Sequence, residues 1–125
     1  EDVVRPPEPA DLGIDRHFLG LLQQGMAAVP QPGGTAARAF RDHPLRDHVG
    51  AKTGTANVAV RSGGRTVTQK RFFTSWLAGW AAPPGERPLA FACMITHARQ
   101  TGGREAAPVV AEVLEAVAAP EEAAP

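Results

Sequence analysis

The sequence predicts an α+β protein, in which an antiparallel sheet of at least three strands packs with helices near the N- and C-terminal ends. Apolar residues recur at helical spacing near both ends of the chain. Between them lie three extended apolar segments, separated by turns rich in glycine and proline. We divide the chain into an extended lead-in (1–10), one main body (11–118) and a frayed tail (119–125).

The bulk composition excludes several classes of function. The 125 residues include 13 basic and 13 acidic side chains with no basic stripe, which argues against a nucleic-acid binder held by phosphate contacts. The single cysteine, Cys93, excludes a disulfide within the chain. No apolar run is long enough to cross a bilayer, and the first residues lack signal-peptide character.

The first helix is predicted to run from Asp15, a suitable N-cap, to about residue 29. Gly25 lies on the flank of its apolar stripe, where glycine costs about 1 kcal/mol against alanine, so we expect it to permit a close backbone approach. After the PQPGG turn, residues 35–40 are predicted to form a short second helix capped by Thr35. The stripe of the first helix consists of Phe18, Leu21, Leu22, Met26 and Val29.

Three strand segments follow. The first runs over 49–60, turns at 62–64 and returns through 66–68. The second, 72–82, carries Trp76 and Trp80 on one face, and core packing under a helix is favoured there over a stacking platform for sugars or bases.

The third strand segment and a final helix complete the predicted body. Residues 89–96 are apolar on both faces, which predicts a central strand and an inert core position for Cys93. After a glycine-rich turn at 102–103, the spacing of apolar residues predicts an amphipathic helix over 105–117.

The stretch VGAKTGTANV (49–58) interrupts an apolar strand with polar residues. Alternation places Lys52 and Gly54 on one face and Thr53 and Thr55 on the other. A positive charge, two hydroxyl donors and a bare backbone position suit an extended peptide with an anionic end, lying along a strand edge. The competing interpretation is a solvated lysine in ordinary strand and turn composition.

The segments around this stretch resemble the C-terminal part of the transpeptidase domain of penicillin-binding proteins. KTGT resembles the K-T-G box of serine penicillin-recognising enzymes. GMAAV and GGTA precede it, SWLAGWAAP and LAFACMI follow it, and GGREAAPVVAEVLEAV resembles the start of that domain's C-terminal helix. The resemblance covers about residues 12–118 and implies part of a β-lactamase/transpeptidase-like fold.

The resemblance also implies residue roles. Lys52 would supply positive potential and hold the hydroxyl network used in proton transfer. Thr53 and Thr55 would bind the carboxylate of a D-Ala-D-Ala stem peptide of peptidoglycan or of a β-lactam. The Thr55 N–H would form half of the oxyanion hole, and Gly54 would leave space for the ligand backbone. No cofactor is implied.

Two boxes of the family are absent from the sequence. The chain has only Ser62 and Ser75, and neither begins the S-x-x-K of the nucleophile or the S-x-N of the proton relay. The resemblance therefore implies an inactive fragment of a serine-type D,D-transpeptidase, whose partner is the missing N-terminal part of the same domain. Without a strand from that part, we expect an unpaired edge on the third strand, and marginal stability or association.

Other functions stay open. One alternative is a fragment of a serine β-lactamase or β-lactam sensor, since WLAGW fits that class about as well. Another is a non-catalytic scaffold of the same fold. The resemblance implies a membrane-anchored parent at the periplasmic, extracytoplasmic face of the inner membrane. We expect no metal site, because His43 and His48 flank a proline-containing loop without other ligands.

Overall fold

The computed structural model describes residues 11–118, apart from the side chains of residues 60–62, 69, 70 and 118. A three-stranded antiparallel sheet lies between two helices in the sequence, which confirms the predicted α+β class. The predicted lead-in (1–10) and tail (119–125) lie outside the described residues. In chain order the elements are helix α1 (Arg16–Ala27), a 3-10 turn (Arg46–His48), strands β1 (Val49–Ser62), β2 (Arg65–Ala81) and β3 (Leu89–Ala98), and helix α2 (Ala106–Ala118).

Helix α1 begins at the predicted cap, where the Asp15 carboxylate accepts a hydrogen bond from the His17 N–H at 2.7 Å. It ends at Ala27, short of the predicted residue 29, because Pro30 disfavours helical backbone at the residue before it. None of its side chains is buried. A Cβ at Gly25 would meet nothing within 4 Å, so the prediction of a close backbone approach there is wrong for the described residues.

The predicted second helix at 35–40 is wrong. This segment is a series of turns, in which the Ala36 N–H donates back to the Val29 carbonyl at 3.0 Å. A Cβ at Gly34 would overlap that same carbonyl oxygen, so the chain can fold back this tightly only because residue 34 is glycine. The tight return buries Phe40, which anchors the segment in the core.

Strands β1 and β2 form one long hairpin. Gly63 and Gly64 connect them with φ angles of 57° and 76°, as a two-residue type I′ turn requires. The predicted return at 66–68 and the predicted second strand at 72–82 are parts of the single strand β2. The two segments are joined by a β-bulge, in which residues 70–72 are unpaired with β1 between the pairs Val58↔Gln69 and Asn57↔Phe73.

The sheet order is β1-β2-β3, so β2 is the central strand and the prediction of a central third strand is wrong. The outer edge of β3 has no strand partner among residues 11–118, as expected for an unpaired edge. One face of β3 packs against the core through Phe91, Cys93 and Ile95, and the other exposes Met94. The apolar residues of β3 indicate two apolar faces, but they do not indicate how many strands pair with β3.

The core lies between the sheet and α2. Leu77 of β2 and Val49 of β1 point into it and meet Phe40 and Leu114. Within residues 11–118, neither helix combines the length and the apolar character that crossing a membrane requires.

The opposite face of the sheet carries both tryptophans. Trp80 is half-buried against Gly50, whose missing side chain leaves room for the indole ring, and it borders Gln23 and Ala27 of α1. Trp76 is 37% exposed. Packing under a helix therefore describes Trp80 and not Trp76.

Candidate functional site

Residues 52–55 lie on β1, an edge strand that pairs only with β2 among the described residues. Lys52 and Thr55 are exposed, while Thr53 and Gly54 are half-buried. The four residues therefore border an open strand edge, and are neither enclosed in the core nor placed in an irregular loop. The pairs that set their register are Lys52↔Ala78, Thr53↔Leu77, Gly54↔Trp76 and Thr55↔Ser75.

The ammonium group of Lys52 lies at this edge. Its Nζ donates to the carbonyl oxygen of Thr53 at 2.7 Å, although alternation directs the two side chains to opposite faces. The lysine side chain therefore folds along the strand and does not extend away from it. It makes no ion pair with a carboxylate of residues 11–118, which leaves its charge available to an anion.

The same contact indicates the direction of the backbone groups. In an antiparallel ladder, residues alternate between those whose N–H and C=O point to the partner strand and those whose groups point away. Because the Thr53 carbonyl accepts a hydrogen bond from the Lys52 side chain, Thr53 is one of the residues whose backbone groups point away from β2. The Thr55 N–H, two residues on, then also points to the free edge.

The hydroxyl of Thr53 meets a residue that sequence reasoning missed. Thr35 Oγ1 lies 2.9 Å from Thr53 Oγ1. The sequence predicts a helix cap at Thr35, because a threonine before an alanine-rich segment is typical of one. The nearest signal in the sequence was the preceding Gly33–Gly34 pair, which permits the fold-back that brings Thr35 to β1.

The hydroxyl of Thr55 meets the loop that leads into α2. It accepts a hydrogen bond from the Gly102 N–H at 3.4 Å, near the outer limit for such a bond. A Cβ at Gly102 would overlap the Trp76 carbonyl oxygen, and one at Gly103 would overlap the Thr35 carbonyl oxygen. The loop can therefore lie directly on the sheet only because both residues are glycine.

Two further contacts fix this loop. Ser75 Oγ is buried in β2 and donates to the Gln100 carbonyl oxygen at 2.5 Å. The Glu105 carboxylate accepts the N–H groups of Arg99 and Gln100 at 2.9 and 2.8 Å. Ser75 is thus a structural residue whose hydroxyl is occupied and out of reach of solvent.

The segment before β1 is held by Asp47. Gln31 Nε2 donates to its carboxylate at 3.0 Å, and this hydrogen bond is the main cause that lowers the pKa of Asp47. Arg46 lies 3.5 Å from the same carboxylate and lowers the pKa further. The pair ties the 3-10 turn to the segment that carries Thr35.

The histidine between these segments has a structural position. His43 Nδ1 accepts the Leu45 N–H at 3.1 Å, so the proton lies on Nε2, which donates to the Ala111 carbonyl at 2.9 Å. Among residues 11–118, no three His, Cys, Asp or Glu side chains are grouped as metal ligands.

Comparison with known proteins identifies the family. The sequence model of the penicillin binding protein transpeptidase domain matches residues 1–115. The chain belongs to the penicillin-binding protein transpeptidase family. No curated protein matches the sequence. The transpeptidase match includes α1, the three strands and most of α2, and therefore every residue of the β1 site described above.

Proposed function

We propose that this transpeptidase-family chain supplies the strand that holds an anionic peptide in the cleft of a serine-type D,D-transpeptidase. The observation that carries the proposal is the placement of Lys52, Thr53 and Thr55 next to one another on an open strand edge, where the Lys52 ammonium lies along the strand at the Thr53 carbonyl. The substrate class is the D-Ala-D-Ala stem peptide of peptidoglycan, and β-lactams bind at the same place.

Each residue has a distinct role in this proposal. The peptide adds to β1 as an extended strand, and its terminal carboxylate accepts hydrogen bonds from the Thr53 and Thr55 hydroxyls. Lys52 attracts that carboxylate and stabilises the hydroxyl network through which a proton moves. The outward N–H of Thr55 donates to the carbonyl oxygen as it becomes negative. Gly54 allows the ligand backbone to approach β1 closely.

The nucleophile comes from polypeptide outside residues 1–125 in this proposal. Its serine Oγ attacks the carbonyl between the two D-Ala residues, the acyl-serine forms and free D-Ala leaves. An amine of a second stem peptide then attacks the acyl-serine, forms the cross-link and releases the serine. Ser75 cannot take this role, because its hydroxyl is buried and donates to Gln100. Peptidoglycan is assembled at the extracytoplasmic face of the membrane, and we propose that the parent protein acts at that face.

A non-catalytic scaffold is the second candidate. The observation that favours it is the same occupied and buried hydroxyl of Ser75, which cannot act as a nucleophile. A scaffold could still bind an anionic peptide at β1. Expression of the complete gene product separates the candidates: a transpeptidase is labelled by fluorescent penicillin and retains the label, a β-lactamase releases it rapidly, and a scaffold is not labelled.

Binding to the 125-residue chain tests the β1 site directly. We expect acetyl-D-Ala-D-Ala to shift the backbone amide NMR signals of residues 52–55, and the same peptide with a C-terminal carboxamide to shift them far less. Lys52→Ala should weaken the binding, and exposed Arg99→Ala should serve as a matched control for lost positive charge. Equal binding of the carboxylate and the carboxamide, or shifts confined to other strands, would overturn the proposal.

A further inference from the structure

The two threonine hydroxyls of the β1 site each contact a residue from a distant segment. A hydroxyl has one hydrogen to donate and two lone pairs to accept. The Gly102 N–H donates to Thr55 Oγ1, so this bond uses a lone pair and leaves the Thr55 hydrogen free for a ligand.

The contact between Thr35 and Thr53 has two possible directions. Either hydroxyl can donate across the 2.9 Å separation. If Thr53 donates to Thr35, its only hydrogen is used and it cannot donate to a carboxylate. If Thr35 donates, Thr53 keeps its hydrogen, and its hydroxyl becomes a better donor because it is polarised by the bond it accepts. An anionic ligand therefore favours the direction from Thr35 to Thr53.

The surroundings also restrict the rotation of the Thr53 side chain. A Cβ at Gly103 would lie 3.7 Å from Thr53 Cγ2, so the loop packs near the methyl group while Thr35 holds the hydroxyl. A β-branched side chain held at both branches has one accessible χ1 rotamer. Ser75 and Glu105 fix the loop in turn through Gln100.

We propose that Thr35 is a positioning residue: with the Gly102 N–H, it orients the Thr53 and Thr55 hydroxyls so that both present their hydrogens to a carboxylate at the β1 edge. This inference rests on the proposed function of that edge. Thr35 acts through Thr53 and does not itself touch the ligand.

Isosteric and conservative variants of the full chain test the proposal. Thr35→Val keeps the shape and removes the hydroxyl, while Thr35→Ser keeps the hydroxyl. We expect Thr35→Val to raise the Kd for acetyl-D-Ala-D-Ala roughly fivefold, the effect of one lost hydrogen bond. Thr35→Ser should bind within about twofold of the unmodified chain. Exposed Thr96→Val, on β3, is the control and should leave binding unchanged.

A measurement without ligand separates this inference from the proposed function. Three-bond NMR couplings report the χ1 angle of Thr53, and we expect one rotamer in the unmodified chain and in Thr35→Ser, with averaging in Thr35→Val. Averaged couplings in the unmodified chain would overturn the inference even if Thr35→Val fails to fold. So would equal losses of binding in Thr35→Ser and Thr35→Val, or no loss in either. If the unmodified chain does not bind the peptide at 52–55, the proposed function fails, and with it the role assigned to Thr35, whatever the couplings show.

Discussion

Replacing Gly102 with alanine tests how closely the loop before α2 is seated on the sheet. The new Cβ would overlap the Trp76 carbonyl oxygen and lie 2.7 Å from the Gly54 carbonyl oxygen. Both oxygens belong to paired strand backbone and cannot rotate away. The loop must therefore move outward by roughly 1 Å to restore ordinary contact distances. This movement lengthens the hydrogen bond from Gly102 to Thr55, which already spans 3.4 Å.

The expected loss of stability combines two effects. Forcing extra volume into a packed position costs about 1–3 kcal/mol, and losing a hydrogen bond costs about 1 kcal/mol. We expect Gly102→Ala to lower the free energy of unfolding by about 2–4 kcal/mol and the Tm by about 10 °C. Urea unfolding followed by tryptophan fluorescence measures the first quantity, and calorimetry measures the second. Binding of acetyl-D-Ala-D-Ala should weaken in parallel, because Thr55 loses its partner.

Gly25→Ala is the matched control. It also adds one methyl group to a glycine, but in the helix α1, where a Cβ meets nothing within 4 Å. Its helix propensity should raise the free energy of unfolding by about 0.5–1 kcal/mol. If Gly102→Ala unfolds within about 0.5 kcal/mol of the unmodified chain, the size of an ordinary surface substitution, the argument for close seating of the loop is wrong.

Three further predictions concern the core, the pH dependence and the free edge. Leu77→Ala removes a fully buried side chain and should lower the free energy of unfolding by about 3 kcal/mol, whereas Val67→Ala, at a 49% exposed position, should change it little in the same urea titration. Because the pKa of Asp47 is lowered in the folded chain, this carboxylate contributes to the free energy of unfolding above its ordinary pKa, and the contribution is lost as the pH falls through the folded value. Gln31→Ala should raise the pKa of Asp47 in an NMR titration, and an unchanged pKa would contradict the assigned cause. The chain should associate through the outer edge of β3 as its concentration rises, and Met94→Lys, on the exposed face of that strand, should reduce the association seen by sedimentation velocity; a compact monomer at every concentration would count against this prediction.

The sequence was most informative where one residue type has one structural meaning. Asp15 ahead of a periodic apolar segment located the start of α1. The glycine pair 63–64 located the β1–β2 turn, since two adjacent glycines between strands favour a turn with two positive φ angles, which both residues adopt. Residues 52–55 interrupt an apolar strand with polar groups, which are unfavourable in a core, and this interruption indicated the candidate site.

The sequence was least informative where a tertiary contact decides between local alternatives. Thr35 can cap a helix or bind another hydroxyl, and its partner Thr53 is 18 residues away. The division of β2 into two strands was wrong because a bulge at 70–72 interrupts the pattern without ending the pairing. The apolar stripe of α1 favours burial, yet Phe18 on that stripe is 65% exposed. An apolar stripe indicates a surface that favours contact with a partner, but it does not show that the chain itself contains that partner.

Thr55 and Gly102 are 47 residues apart along the chain, and this separation affects the stage of folding at which the binding edge is completed. A folding intermediate that contained only the β1–β2 hairpin would already display lysine, glycine and both threonines in register, yet their hydroxyls would rotate freely. Closing two long loops, one from each side of the hairpin, is entropically slow and comes late. Peptide affinity at this edge therefore reports completed folding: it distinguishes the folded domain from a chain in which β1 and β2 have paired but the segments that carry Thr35 and Gly102 have not yet packed against them.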